Sequence, residues 1–383
     1  MRHPVPTTPP RRYHAASVDP DSRAFSPAWE ALTRAQSPLA DVTWIRCFLD
    51  AFGGRAELHT VYDAERPVAS IPLVRTQGLA RTLVSLDNEH NPYWLVTGDL
   101  DVDGAEHLLD HALAHAECVF LRRLPMESPA CGALVAAAGR MRLPVVQIES
   151  EAGDARMVLR GTWDAFRAKL PKNFQRDLPR KQRQLEKRGR LAFAELDEPG
   201  PALDAALAEC FALETRGWKG ERGSPIAADR RTLRFYGELA RALAARDRFV
   251  LYTLSLDDRI IAFEYCLRGG GHCEMLKLSF DPAFEKQSPG QVLRMRILER
   301  ELERGDVRYY HLGRPSGWKL RWATEVAPLC TLRIYARTPR ARAAHLLGPV
   351  LRARLKASPL AVRIRDRVQR LRPHGGVASA PGS

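Results

Sequence analysis

The segment Gln287–Gln291 joins a predicted strand to a predicted helix, and its residue types suit the binding of an anion. The first amides of a helix are unpaired, and the helix dipole favours a negative charge beside them. Gly290 lets a ligand approach the backbone closely, whereas Pro289 suits the first turn but has no N–H to donate. We therefore predict that an anion such as a pyrophosphate is bound by Gln287, Ser288, Pro289, Gly290 and Gln291.

Three nearby side chains have the chemistry for proton transfer. Glu264 lies mid-strand in "IIAFEYCLR", where burial would raise the pKa of its carboxyl group and suit a general base that deprotonates an amine. The alternative for Glu264 is a solvated face or an ion pair with Arg268. Lys277, on the next strand, is placed to bind an acidic substrate or an acyl carbonyl. His311 follows the strand "VRYY" and is a candidate proton relay, although a lone histidine is more often structural.

Four further residues are candidates for substrate binding. Asp281 continues the strand that carries Lys277, but an aspartate before a proline is also typical of a turn. Lys219 suits the end of a helix, because its charge complements the helix dipole there. That role does not account for Trp218, which is a candidate for one wall of the substrate cleft. Lys319 lies between two tryptophans that share one helical face and are expected in the core, so its ammonium group can reach a phosphate.

The elements that must position these residues form two successive α/β sets. Periodicity predicts alternating helices and strands over residues 40–150, and residues 155–336 repeat the theme. The second set ends with three strands, the helix that begins near Pro289, and two last strands. We predict an α/β (α+β) fold with mixed, mainly antiparallel sheets flanked by helices. The predicted segments are a disordered leader at 1–25, domains at 26–153 and 154–337, and a basic amphipathic tail at 338–383.

Composition bounds the function class. The chain has 383 residues, 45% hydrophobic and 27% charged, which is typical of a globular protein. No apolar run reaches the roughly 18 residues that suggest a membrane span. The net charge of +14 is concentrated at the end, because residues 331–383 hold 12 Lys/Arg and one acid. The nearly neutral remainder argues against nucleic-acid binding by the whole surface. Seven cysteines without a CxxC pair are expected to be small buried residues in a reducing compartment.

The order of three strands, loop, helix and strand resembles the core of the GNAT acyltransferase superfamily. The pyrophosphate loop of that superfamily reads Gln/Arg-x-x-Gly-x-Gly/Ala, and "QSPGQV" matches except at Val292. With "ETRGWKG", "RIIAFEYCLR", "FDPAFEKQSPG" and "HLGRPSGWKLRWAT", residues 40–340 resemble the CelD/BcsL-like proteins, which carry a BioF-like acetyltransferase domain. These are related to the FemAB aminoacyl ligases, so the resemblance implies tandem GNAT-like domains.

The resemblance implies an acyl-CoA-dependent N-acyltransferase of the cytoplasm. It would use acetyl-CoA or a longer acyl-CoA, require no metal, and acylate an amine of a small molecule or of a sugar or polysaccharide precursor. One alternative is a FemAB-like ligase that uses aminoacyl-tRNA and binds RNA through the basic segment 167–190. The other is a non-catalytic protein that binds an anionic surface. The tail at 338–383 is predicted either to bind the inner face of a membrane or to pack on its own domain.

Overall fold

The structure is a computed structural model. It describes residues 12–19, 32–33, 36–76, 80–86, 88, 90–149, 153–216, 226 and 229–347. The described residues of the first part contain a short 3-10 helix, Pro38–Ala40, and ten helices and strands: β1 Tyr13–Val18, α1 Val42–Phe52, β2 Ala56–Asp63, β3 Arg66–Thr76, β4 Thr82–Ser85, β5 Thr97–Gly98, α2 Val102–Ala114, β6 Cys118–Pro125, α3 Pro129–Arg140 and β7 Val145–Glu149.

The second part begins at Asp154 and repeats the mixture of helices and strands. Its elements are β8 Asp154–Val158, α4 Trp163–Arg167, α5 Lys172–Glu186, β9 Leu191–Leu196, α6 Pro201–Arg216, α7 Arg230–Ala244, β10 Phe249–Leu256, β11 Arg259–Gly269, β12 His272–Phe280, a 3-10 helix Pro282–Gln287, α8 Pro289–Arg304, β13 Tyr309–Gly313, α9 Gly317–Leu320, β14 Glu325–Ala327 and β15 Leu329–Tyr335.

Several element boundaries follow from local chemistry. The Ser128 hydroxyl accepts a hydrogen bond from the Cys131 amide at the start of α3, and Thr162 caps α4 in the same way. The basic stretch forms one helix, α5, that continues through Pro179. Phe174, Leu178 and Leu185 form its buried stripe, so the apolar spacing outweighs the cost of a proline within the helix.

The strands form two mixed sheets, which confirms the predicted fold class. The first sheet has the order β1-β2-β3-β4-β6-β15-β7, with β5 beside β3, and the second has the order β14-β8-β13-β12-β11-β10-β9. Among the described strands, only β4–β6 and β12–β13 are parallel pairs. The other described pairs are antiparallel, both between consecutive strands such as β10–β11 and between distant ones such as β6–β15.

The last strand differs from the sequence interpretation, which assigned residues 154–337 to the second unit. Strand β15 lies in the first sheet, where Leu332 pairs with Leu121 of β6 on one side and with Gln147 of β7 on the other. Its Cys330, Leu332 and Ile334 side chains are buried in the core of that sheet. The chain therefore crosses between the two parts twice, and their relative position is fixed by backbone hydrogen bonds.

A hydrophobic core also joins the two parts. Trp44 of α1 is fully buried and packs edge-on against Phe235 of α7, with ring centroids 5.6 Å apart. The buried ion pair between Asp41 and Arg248, 2.9 Å, crosses the same boundary. Burying a large apolar side chain contributes about 1.5–3 kcal/mol. This shared core holds the loops of the first part against the second sheet.

All seven cysteines are buried with free thiols, in agreement with the interpretation from composition.

Within the described ranges, no helix is both long and apolar enough to cross a membrane.

Candidate active site between the two sheets

Strands β12 and β13 separate after a short paired stretch. Their parallel pairing covers only His272–Glu274 of β12 and Tyr309–His311 of β13. Beyond Glu274, β12 stays paired with β11 on one side, but no described strand pairs with its other edge up to Phe280. The two strands therefore separate in the plane of the sheet, and the space between them is wide enough for an extended ligand.

The separated strands border a cavity of about 1090 Å³, which we call the donor cavity. The second part contributes Met275–Leu278 of β12, the start of α8 and the segment 313–322, and the first part contributes residues 90–92 and Arg123. Gly313 has φ +71°, and a Cβ placed there would lie 3.6 Å from Pro92. A glycine is favoured because the chain must take a left-handed conformation where the two parts meet.

The predicted anion loop lies at this cavity but offers few free amides. Ser288 is left-handed, with φ 50° and ψ 56°, and its N–H bonds to the Glu285 carbonyl. The Gln291 N–H bonds back to the Ser288 carbonyl at 2.9 Å, and Pro289 has no N–H. Among the described residues, the Gly290 N–H finds no acceptor, and a Cβ at Gly290 would meet only Phe280 at 3.8 Å.

The side chains of the loop divide between the cavity and its surroundings. Ser288, Gly290 and Gln291 line the donor cavity. Pro289 is buried, and the Gln287 side chain turns toward Arg188, whose Nη1 lies 3.5 Å from its Oε1. Anion binding at this loop would therefore need basic side chains in addition to the single free amide.

Glu264 lies at the cavity but is held in a buried ion pair. Arg294 of α8 approaches its Oε1 with Nη2 at 2.7 Å and Nε at 3.0 Å, and the Tyr310 hydroxyl donates to its Oε2 at 2.7 Å. Both Glu264 and Arg294 are 2% exposed. The partner predicted from sequence, Arg268, is instead paired with Glu301 and Asp306. With both oxygens engaged, the carboxylate is poorly placed to take a proton directly.

Arg294 is a functional candidate that the sequence reasoning missed. Burial alone would lower the pKa of its guanidinium group, but the charge and hydrogen bond of Glu264, together with Tyr310, outweigh burial and raise it. Its Nη1 is buried without a hydrogen-bond partner, and its guanidinium lies 4.9 Å from the Trp318 ring centroid. The signal was its position: Arg294 follows Gly290 by one helical turn, within the apolar stripe of α8. A buried cation with an unused donor suits an anion or a developing oxyanion.

The other predicted residues are placed as follows. Lys277 and Lys319 both line the donor cavity, with their ammonium groups over Tyr236 (5.0 Å) and Trp318 (5.6 Å). Asp281 does not line it: its side chain caps the 3-10 helix and pairs with Arg259 at 2.5 Å. The turn interpretation of Asp281 therefore fits better than substrate binding. Trp218 and Lys219 lie outside the described residues.

His311 faces a different cavity, on the other side of β13 from Tyr310. Its Nδ1 lies 2.6 Å from Oδ2 of Asp154, and its Nε2 lies 2.9 Å from Nδ1 of His272. Burial opposes charging of the ring, but the carboxylates of Glu274 and Asp154 outweigh burial and raise the pKa of His311. Because neighbouring residues of a strand point to opposite faces, His311 cannot act in the donor cavity without a rearrangement.

The donor cavity is predominantly basic. Among the described residues, the acidic side chains that line it are Glu264, which is neutralised by Arg294, and Glu285. The cationic side chains that line it are Arg123, Lys277, Arg294, Arg314, Lys319 and Arg321. The excess of positive charge favours a ligand that carries phosphate or carboxylate groups.

Comparison with known proteins identifies the fold. Residues 172–323 match the family model described as an acetyltransferase (GNAT) domain. FemX is similar in structure, with a TM-score of 0.57 and 9% identity over 87% of this chain and 99% of that chain. So is the C-terminal DUF2156 domain of a putative lysylphosphatidylglycerol synthetase from Agrobacterium fabrum, with a TM-score of 0.53 and 13% identity over 84% and 95%.

A conserved protein of unknown function from Bacteroides thetaiotaomicron is also similar, with a TM-score of 0.53 and 11% identity over 80% and 93%. No curated protein matches the sequence. The chain therefore has a GNAT-superfamily fold related to that of FemAB-like ligases, and this fold supports an acyltransferase. At these identities the structural likeness extends to the fold alone.

Proposed function

We propose that the protein transfers an acyl group from an acyl-CoA to an amine, and that the donor lies in the donor cavity. The observation that carries the proposal is the separation of β12 from β13 beyond Glu274, which opens the basic donor cavity beside the start of α8. An extended chain with amide groups, such as the pantetheine arm of CoA, fits between the two separated strands. Its phosphates would then lie near Gly290 and the basic side chains of the segment 313–322.

The chemistry requires an amine to attack the thioester carbonyl, forming a C–N bond and breaking the C–S bond. The leaving thiolate and the proton lost by the amine together give the free thiol. We assign Arg294 to stabilise the negative charge that develops on the carbonyl oxygen, because its Nη1 is buried and unpartnered. Glu264 then serves as a positioning residue that fixes the guanidinium, and Lys277 is a candidate for binding the acyl carbonyl.

A second donor, aminoacyl-tRNA, is favoured by a specific surface. Helix α5 packs Phe174, Leu178 and Leu185 inward and leaves its basic side chains outside. It also lies against the 3-10 helix that precedes α8: Lys181 donates to the Lys286 carbonyl, and Arg188 covers the Phe284 ring. The exposed basic residues of the segment are Lys169, Lys172, Arg176, Arg180, Arg183, Lys187, Arg188 and Arg190. A basic helix face beside the Gln287–Gln291 loop suits the phosphate backbone of an RNA.

Calorimetry separates the two donors. Acetyl-CoA should bind the wild-type protein at one site, and Gly290→Glu should weaken that binding by about tenfold or more, because bulk and negative charge are added where a phosphate must lie. Gly132→Glu is the matched control, since Gly132 is an exposed glycine in the first turns of α3 with open space around it. If acetyl-CoA gives no heat but charged tRNA binds and Arg183→Glu weakens that binding, the second donor is correct.

We propose a small-molecule or sugar amine as acceptor, as the CelD/BcsL-like resemblance implies, in the cytoplasm. For the tail, residues 339–347 are helical and Ala341 is fully buried against Cys118 and Tyr335, so the first turn of the tail packs on the first sheet. The rest of the predicted amphipathic tail, residues 348–383, lies outside the described residues. Binding of this later part to an anionic membrane surface remains our proposal.

A further inference from the structure

A second cavity, of about 830 Å³, lies between the two parts on the opposite side of β13. The first part contributes Ser37, Tyr93 and the starts of α2 and α3, and the second contributes β8 and the paired ends of β12 and β13. The two cavities lie back to back, because adjacent residues of the chain line different cavities. Pro92 and Gly153 line the donor cavity, whereas Tyr93 and Asp154 line the second.

Four ionisable side chains meet at this second cavity. His272 Nδ1 and His311 Nε2 are 2.9 Å apart, and Glu274 Oε1 lies 3.6 Å from the same His311 nitrogen. One ligand atom from each of these three residues lies within 4.8 Å of the others. Asp154 holds the far nitrogen of His311 at 2.6 Å. Glu274 is fully buried, Asp154 and His311 are nearly so, and His272 is half-buried and lines the cavity.

The hydrogen bonds of this cluster leave two buried carboxylate oxygens without a donor. If His311 donates from Nδ1 to Asp154, its Nε2 carries a lone pair that points toward Glu274 and His272. Glu274 Oε1 already accepts hydrogen bonds from Ser37, at 2.7 Å, and from Tyr93. Its Oε2 and Asp154 Oδ1 are buried with no hydrogen-bond partner among the described residues. Two buried carboxylates beside lone pairs are costly unless a cation compensates them.

We propose that His272, Glu274 and His311 bind a divalent transition-metal ion, Zn²⁺, with Asp154 as the residue that orients His311. Two imidazole nitrogens and a carboxylate are a donor set that suits Zn²⁺. Two atoms bound to one tetrahedral ion at about 2.0–2.2 Å lie about 3.3–3.6 Å apart. The His311–Glu274 separation of 3.6 Å matches this range, and the His272–His311 separation of 2.9 Å would have to widen by about 0.4 Å. The Asp154–His311 contact matches the carboxylate that commonly orients a metal-binding histidine.

Three protein ligands leave a coordination position directed at the second cavity. Structural zinc sites are usually closed by four protein ligands, whereas an open position accepts water or a ligand. Arg156 also lines this cavity and lies over the Tyr309 ring, 5.0 Å from its centroid. Its guanidinium is already paired with Glu325 at 2.5 Å and Glu127 at 3.6 Å, so the open coordination position is the feature that would bind a water molecule or a ligand atom.

Zinc binding by the untagged, chelator-treated full chain tests the proposal. We expect one Zn²⁺ per chain by calorimetry, and one Co²⁺ with the visible absorption bands of a tetrahedral or five-coordinate site. His272→Ala is the principal variant, because this residue is half-buried and its loss should not unfold the protein. It should lower the affinity by about 100-fold or more, and Asp154→Asn, which acts through His311, by about 10–100-fold. His115→Ala, an exposed histidine of the first part, should bind as the wild type does.

Two results would overturn the proposed zinc site. Failure of the wild type to bind Zn²⁺ and Co²⁺ would overturn the proposal and leave a protonated His311 as the cation of the cluster. Full retention of binding by His272→Ala and by Glu274→Gln, with thermal melts showing that both are folded, would also overturn it. Because the readout is metal content and absorption, the result is independent of acyl-CoA binding in the donor cavity.

Discussion

The substitution Glu264→Gln distinguishes a positioning role for Glu264 from a general-base role. It removes the negative charge that faces Arg294 across 2.7 Å, with both side chains 2% exposed. Breaking a buried ion pair by removing one partner costs about 3–5 kcal/mol, since the remaining charge is left uncompensated. Total stabilities are about 5–15 kcal/mol, so we expect a large shift of the urea midpoint of Glu264→Gln.

The magnitude can be isolated with a double-mutant cycle. Arg294→Met removes the cation, and the double variant Glu264→Gln/Arg294→Met removes both charges. The double variant leaves no uncompensated buried charge, so it should regain part of the stability lost in Glu264→Gln. It should not regain turnover, because our account requires the Arg294 guanidinium.

An exposed ion pair provides the control for this cycle. Arg190 and Asp258 are 2.6 Å apart, but their side chains are 69% and 80% exposed. Asp258→Asn should therefore change the unfolding free energy by less than about 1 kcal/mol. Urea titrations followed by circular dichroism measure all these variants. If Glu264→Gln keeps full stability and acyl-donor affinity while turnover falls by about a hundredfold, the general-base role is correct and our reasoning is wrong.

Three further predictions concern other parts of the molecule. Gly290→Glu should weaken acetyl-CoA binding by about tenfold or more, equivalent to about 1.4 kcal/mol, without lowering the Tm; equal affinity in a folded variant would disprove the loop assignment. Burial lowers the pKa of His59 to about 4, so the neutral ring contributes stability above pH 6.5 that is lost as the pH falls toward 4. His59→Phe should reduce this acid sensitivity in urea titrations at pH 7 and 4.5, and an unchanged pH profile would contradict it. Deleting residues 348–383, while keeping the packed Ala341, should abolish sedimentation with anionic liposomes at an unchanged Tm; undiminished sedimentation would rule out the tail as a membrane element.

Local signals predicted much of the fold. Each of these signals depends on residues within a few positions of one another. Examples are the helix caps at Ser128 and Thr162, the alternation in "HCEMLKLSF" and Gly290 in the Gln287–Gln291 loop. The place of β15 in the first sheet could not be predicted in this way. Its partners in β6 lie about two hundred residues earlier, and strand order depends on which sheet edge the chain reaches.

The candidate site shows the same limit. The sequence interpretation paired Glu264 with Arg268, four residues away, but the structure pairs it with Arg294, thirty residues away on α8. It also grouped His311 with Glu264, although alternation along β13 puts Tyr310 beside Glu264 and His311 on the opposite face. Both cavities form where the first part packs against the second sheet. A local sequence pattern therefore cannot predict which face of β13 borders which cavity.

Hydrogen exchange with and without acetyl-CoA tests the central claim most directly. If the acyl donor lies between the separated strands β12 and β13, amides in Met275–Phe280 and at Gly290 should exchange more slowly when acetyl-CoA is bound. Amides around His272 and His311 at the second cavity should be unaffected. Protection that is absent from both β12 and the start of α8, or confined to the second cavity, would contradict the account.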